Sequence, residues 1–320
     1  MRISTGVAAL LLAFCAATAQ AQTYPSKPIT IVNPFPPGGT ADFVARLVGQ
    51  KLGETAGWKT IADNKPGANG QIGTRFVATA APDGYTLSLG PSSTHAINPS
   101  VFKKLPYDVL RDFTAITMLG STANLVAVHP SVPVSNVRDL IAYARLYPGK
   151  LAYASTGEGT SLNIVGEMFK DAAGIDLLHV PYKGSAPAMM AVIGGEVQVL
   201  FENISGAVPN IKAGRLKPIA VTSLKRDPVL PDVPTLDETL PGFEVLAWFG
   251  LFAPSATPKD IVNRINAEVV KVLNLPDVRE LMISRGLEPP PMTPEQFNTV
   301  WRSDILKYAA AVRKAKISLD

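Results

Sequence analysis

The sequence predicts an α/β protein of two lobes, one inserted into the other. Three observations carry this. Short apolar runs alternate with stretches whose apolar residues recur at helical spacing, the pattern of strands and helices taken in turn. The 320 residues suit two domains of about 150 residues each. Finally, the two most continuous apolar strands, at 125–128 and 246–252, bracket a block with its own α/β order. The chain should cross between lobes near Thr122-Ala123 and again near Val245-Leu246. Residues 22–122 and 246–320 then form lobe 1, and residues 123–245 form lobe 2.

In chain order, 29–35 reads as a strand ending in Pro34-Phe35-Pro36-Pro37-Gly38-Gly39. A helix follows at once, because Val44, Leu47, Val48 and Leu52 share one face. Thr40 is its expected N-cap, with Asp42 in the first turn. Asn64-Lys65-Pro66-Gly67 marks a turn, 72–80 a helix and 85–89 a strand. The inserted block reads strand 151–154, helix 161–173, strand 197–201, helix 206–213 and strand 218–222. Thr257-Pro258 predicts a cap followed by proline at the first helical position, with Ile261, Ile265, Val269, Val272 and Leu273 on one face. Thr293-Pro294-Glu295-Gln296 is a capping-box pattern. Phe297, Val300, Trp301, Ile305, Tyr308 and Val312 then trace an apolar stripe, with Trp301 read as core.

Residues 1–21 have the form of a signal peptide: Arg2, an apolar run over 7–17, and Ala19-Gln20-Ala21 as a small-x-small cleavage site. The apolar run is too short for a span of about 20 residues. Phe14 occupies the place where a lipoprotein acylated at Cys15 would carry a small residue. Cleavage after Ala21 removes Cys15, the single cysteine, and with it any thiol nucleophile, thiolate ligand or disulfide. A soluble exported chain in the periplasm is therefore expected. The net charge of +4 is not gathered into a basic run and aromatics are few, so nucleic acid is not an expected partner.

No nucleophile elbow, P-loop or His-Glu-x-x-His occurs. His95, His129 and His179 are not spaced as metal ligands, and each is read as a surface or structural histidine. Neither an enzyme nor a cofactor is indicated. Gly67-Ala68-Asn69-Gly70-Gln71-Ile72-Gly73 lacks the ending of a phosphate loop and reads as a turn feeding a helix.

Two other loops are more informative. Pro36-Pro37-Gly38-Gly39-Thr40-Ala41-Asp42 and Ser155-Thr156-Gly157-Glu158-Gly159-Thr160-Ser161 each join a strand to a helix start. Glycine lets the backbone approach a ligand closely, and free N–H groups at a helix N-terminus favour an anion. The two loops belong to different expected lobes. Facing one cleft, they would grip a carboxylate through neutral donors, with no arginine clamp.

Segments across the mature chain resemble one known family. They include Tyr24-Pro25-Ser26-Lys27-Pro28-Ile29, Pro34 through Asp42, Asn64-Lys65-Pro66-Gly67-Ala68 and Pro82-Asp83-Gly84-Tyr85. Val180-Pro181-Tyr182-Lys183-Gly184, Pro231-Asp232-Val233-Pro234-Thr235 and Ala253-Pro254 continue the series. On these the chain resembles the Bug-type receptors of tripartite tricarboxylate transporters. The resemblance implies a type II periplasmic-binding-protein fold closing on a small dicarboxylate, tricarboxylate or aromatic acid. It implies membrane permease subunits as partners; a monomer is expected. The ligand residues it implies are Phe35, Gly38, Gly39, Thr40, Ala41 and Asp42 in lobe 1, facing Ser155, Thr156, Gly157, Gly159, Thr160 and Ser161. Ser92, Ser93, Thr94 and Asn203 complete the set, with Phe201 and Glu202 in the same strand end. Many members carry His where this chain has Asn163. Asp42 is expected to point away from a bound carboxylate or to pair with a ligand amino group. A ligand sensor signalling to a membrane kinase would need the same two-lobed clamp.

Overall fold

Apolar alternation sets the strands of the computed structural model, which describes residues 24–314 and 318; the expected signal peptide and Cys15 lie outside them. Lobe 1 begins β1 (Ile29–Asn33), α1 (Thr40–Ala56), β2 (Thr60–Asn64), α2 (Gln71–Ala78) and β3 (Thr86–Pro91). A π-type turn (Ser93–Ile97), α3 (Asn98–Val101) and α4 (Val109–Asp112) lead into β4 (Phe113–Val128). The next block is α5 (Val137–Leu146), β5 (Ala152–Ser155), α6 (Ser161–Ala173), β6 (Leu178–Pro181), α7 (Ser185–Ile193), β7 (Val199–Asn203), α8 (Ile204–Lys212) and β8 (Lys217–Val221). The chain ends in β9 (Leu246–Pro254), α9 (Lys259–Leu273), α10 (Pro276–Ile283) and α11 (Pro294–Lys314).

Two sheets share one long strand. β1 lies parallel between β2 and β3, and β9 pairs antiparallel with β3. The first part of β4, from Phe113 to Ala123, runs antiparallel to β9. From Asn124 to Val128 the same strand pairs with β7 and β8, beside which β5 and β6 run parallel. Irregularities between Ala115 and Thr117 and between Met118 and Gly120 bend β4 before it changes sheets. Only β4 enters both sheets; β9 stays in the first and faces β4 as far as Thr122↔Ala247 and Ala123↔Leu246.

Period-two alternation then decides which helices cover which face. Ile29, Ile31, Leu87 and Leu89 pack against α1, α9 and α10. Leu125, Ala127 and Leu200 pack against α7 and α8. On the opposite faces one core runs through both lobes, joining Val126, Phe169 and Phe201 to Phe252, Phe297 and Trp301. The predicted stripe of α11 is that core's edge. Phe297, Trp301, Tyr308 and Val312 are buried, and Val300 and Ile305 partly so. The capping box forms as expected, Gln296 N–H donating to Thr293 Oγ1 and Thr293 N–H to Gln296 Oε1.

Two expected caps are corrected. Gly39, not Thr40, is the N-cap of α1, and Thr40 Oγ1 instead meets Ser205 Oγ at 2.8 Å. Pro258, not Thr257, is the N-cap of α9, because Thr257 Oγ1 is spent on the Pro254 carbonyl.

Candidate functional site

Four helices begin around one cleft. The caps of α1, α7 and α8 are Gly39, Gly184 and Asn203, and none supplies a side-chain capping bond. The first-turn N–H groups of these helices keep their donors for something else, and their dipoles favour negative charge there. The α6 start is different, since Thr160 caps it by accepting from Asn163 N–H. The α1 start comes from lobe 1 and the other three from the inserted block. The Thr40–Ser205 hydroxyl pair joins the two sides, and Asn69 Nδ2 donates across to the Glu158 carbonyl.

Between these helix starts lies a cavity, a concave site of the kind that takes a small molecule. Of the expected residues, Phe35, Gly39, Thr40, Ala41, Ser92, Ser93, Thr156, Thr160, Ser161 and Asn203 line it. Gly38, Asp42, Thr94, Ser155, Gly157 and Gly159 do not. Thr94 is fully buried, its hydroxyl bonded to the Pro91 carbonyl and to His95 Nδ1. Ser155 is buried against His179 Nε2 at 2.7 Å. Gly157 serves through its carbonyl, which takes the Thr160 hydroxyl at 2.7 Å.

Asn163 is one layer further back. Its Oδ1 accepts Gly159 N–H at 2.9 Å and its Nδ2 donates to Tyr153 Oη at 2.8 Å. It fixes the shape of the loop without facing the cavity. Burial keeps the neighbouring His179 below the usual histidine range, hence neutral, and Tyr153 stacks on its ring.

Asp42 turns away from the cavity. Its carboxylate accepts Arg46 Nε at 3.0 Å and Gly38 N–H at 3.1 Å. Burial opposes its ionisation, but the bonds from Arg46 and Gly38 prevail and hold its pKa below the usual carboxylate range. It ties the loop to the first turn of α1, the role of an acidic residue at a capping position.

The cavity also contains residues outside the expected ligand set. Lys183, Gly184, Ser185, Ala186 and Pro187 line it from the β6–α7 connection, with Trp248 and Phe249 from β9. The signal was available in Tyr182-Lys183-Gly184-Ser185, which repeats the glycine-then-helix pattern of the other two loops. Lys183 is the one charged side chain in the wall among the described residues. Phe201, by contrast, is fully buried core. Glu202 is fully buried behind Asn203, and desolvation raises its pKa to about 7.

Comparison with known proteins places this geometry. A family model described as tripartite tricarboxylate transporter family receptor matches residues 44–317. Protein BugT of Bordetella pertussis is 33% identical over 306 residues, covering 95% of this chain and 94% of that one. The solved structure of Rhodopseudomonas palustris Rpa4515 with adipate is 35% identical with a TM-score of 0.90, covering 92% of this chain and all of the other. MatC from the same organism with bound malate is 33% identical with a TM-score of 0.86, covering 90% of this chain and all of the other. The expected two-lobed binding-protein fold is the fold found. The chain belongs to the family of tripartite tricarboxylate transporter receptors, whose members are solute-binding proteins and not enzymes.

Proposed function

We propose that this chain is a periplasmic receptor that captures a small dicarboxylate between its lobes and delivers it to the membrane permease subunits of a tripartite transporter. The observation that carries the reading is the convergence of three helix starts without side-chain caps on one cavity whose single charged wall residue, among the described residues, is Lys183. Backbone donors at the α1, α7 and α8 starts take one carboxylate, and Lys183 meets the second. The adipate and malate held by two relatives support a dicarboxylate. Export rests on the signal-peptide pattern of residues 1–21. Among the described residues no helix is long and apolar enough to cross a membrane.

Closure communicates occupancy. Residues 24–122 and 246–314 move as one body and residues 123–245 as the other, about the β4–β9 crossing. Contacts such as Thr40–Ser205 form only when the lobes meet, so a ligand bridging the same elements shifts the population toward the closed form. A thermal-shift screen over linear and aromatic mono-, di- and tricarboxylates tests the ligand class. At a hundred times Kd the stabilisation is about 2.7 kcal/mol, with on the order of 2–4 °C per kcal/mol for a protein of this size. Dicarboxylates should give the largest shifts, and small-angle scattering should show a smaller radius of gyration with them. A screen in which only aromatic monocarboxylates register would overturn the dicarboxylate assignment.

Lys183→Ala provides a second check. It should weaken adipate about tenfold, worth about 1.4 kcal/mol, and hardly affect a monocarboxylate of similar length. Equal losses for both would show that Lys183 does not discriminate the second charge.

A further inference from the structure

We propose that Glu202 takes up a proton when a carboxylate enters the cleft, so that this receptor binds anion and proton together. The proposal deepens the reading of the cleft as a carboxylate site and rests on it. Glu202 is the penultimate residue of β7 and has no exposed surface. Its Oε1 accepts the Asn203 N–H at 2.8 Å, and its Oε2 is buried without a hydrogen-bonding partner. Asn203, the next residue, lines the cavity and begins α8. Ser185, whose hydroxyl also acts on Glu202, lines the cavity and begins α7. The carboxyl therefore lies behind the wall where two of the uncapped helix starts meet.

Among the described residues no cation compensates it. The strands β4 and β9 and the helix α7 carry no charged residue. In β5 the titratable group is Tyr153, whose hydroxyl is bonded to Glu167 and Asn163. Lys212 closes the far end of α8, and Lys217 opens β8, where it is bonded to the carbonyls of Val132 and Val134. On β6, His179 is held by Ser155, and across the cleft Asp42 is paired with Arg46. Lys183 stands in the cavity wall ahead of α7. None of these charges is among the influences on Glu202, which are burial first, then the Asn203 N–H and the Ser185 hydroxyl. A carboxyl so placed titrates near neutrality, at about 7.

In the empty cleft the donors of α7 and α8 favour the ionised form of Glu202. An incoming carboxylate occupies those donors and brings a second negative charge close to the first in a poorly solvated place. Two such carboxylates do not both stay ionised; one takes a proton. The ligand is the more exposed partner and keeps its charge, and the proton comes from solvent onto Glu202. At pH values well below about 7 Glu202 is already protonated and no uptake occurs. As pH rises past its free-state value, each binding event must bring its own proton.

Isothermal titration of adipate and of malate into the full mature protein tests this. At neutral pH and above, the binding heat should depend on the buffer's ionisation enthalpy, corresponding to uptake of up to about one proton. Kd should be flat below pH 6 and rise by up to about tenfold per pH unit above 7. Glu202→Gln should bind with a Kd that no longer changes with pH. A wild-type heat indifferent to buffer, or a Glu202→Gln variant that keeps the wild-type slope, would overturn the proposal. If neither adipate nor malate binds at any pH, the dicarboxylate reading is what fails, and the ligand-free protein then decides the proton's place. Its Tm should fall relative to Glu202→Gln as pH rises from 5 to 8, because a raised carboxyl pKa stabilises the fold below the unfolded value and loses that contribution through the folded one. A difference in Tm that does not change with pH would place no proton on Glu202 and overturn the proposal by itself.

Discussion

Gly39→Leu should abolish ligand binding while leaving the melting temperature close to that of the wild type. Gly39 has φ −90° and ψ 177°, a conformation open to any residue, so the substitution imposes no backbone strain. A Cβ there would lie 3.7 Å from Ser185 Oγ, an ordinary contact. The remaining side-chain atoms must then occupy the cavity or push against the α7 start from across the cleft. Either outcome covers the α1 donors and blocks closure. The expected loss is a hundredfold or more, about 3 kcal/mol at about 1.4 kcal/mol per factor of ten. Gly39→Ala is the control, since it adds only the tolerated methyl group and should lose less than about tenfold, under about 1.4 kcal/mol. Gly157 is a poorer site for the same experiment. Its φ of 129° strains any other residue, and it does not line the cavity. A bulky residue there costs about 1–3 kcal/mol of strain, so a lower Tm should accompany any loss of binding. Undiminished binding of the proposed dicarboxylate by Gly39→Leu would remove the α1 start from the site.

Some of this was legible in the sequence because the relevant signals are local. The loops 36–42 and 155–161 announce themselves by glycine and hydroxyl residues between an apolar strand and a helical stripe, and both border the cavity. The helix at Ser161–Ala173 and the stripe of α11 likewise follow from spacing alone. What failed to show has physical reasons. The first half of β4 is buried yet interrupted by Thr, Gly and Ser, so it lacks the alternation of a half-exposed strand. Short edge strands such as β2 and β6 are half exposed and carry little apolar signal. The helix α7 is apolar nearly all round and so has no polar face to mark its period. Missing β6 and α7 hid the third strand-to-helix loop, and with it Lys183 and Ser185. Side-chain direction was the other blind spot. Thr40 and Thr257 look like caps, but long-range and turn contacts claimed their hydroxyls. Thr94 and Ser155 belong to the expected loops but point backward, because a loop's composition does not say which of its side chains face the ligand.

Trp301→Ala should lower stability by about 3–5 kcal/mol, the range for removing a large aromatic side chain from a packed core. Trp301 is 1% exposed and sits in the middle of the α11 stripe. Its ring meets that of Phe252 edge-on with centroids 4.8 Å apart, and its Nε1 donates to the His95 carbonyl at 2.7 Å. Truncation leaves both a void and an unpaired buried carbonyl. Refilling it with water is disfavoured by the surroundings, Phe252, Phe297 and a His95 whose pKa burial lowers to about 3, so that it stays neutral. Trp301→Phe separates the two losses: it keeps most of the ring and should cost about 1–3 kcal/mol for the unmet carbonyl and missing atoms. Urea unfolding with unchanged m-values measures both. The same substitution should also reach the cleft. The turn Ser93–Ile97 rests on Trp301 through His95, and Ser92 and Ser93 line the cavity. Trp248, another cavity residue, is fixed by the same helix through Nε1 donating to Asp304 Oδ2 at 2.6 Å. Weakening α11 therefore loosens two sides of the lobe 1 wall, and affinity for the proposed dicarboxylate should drop at temperatures where Trp301→Ala is still folded. A variant within about 1 kcal/mol of wild type, below the usual cost of such a truncation, would show that the core repacks around the gap and that α11 does not set the wall.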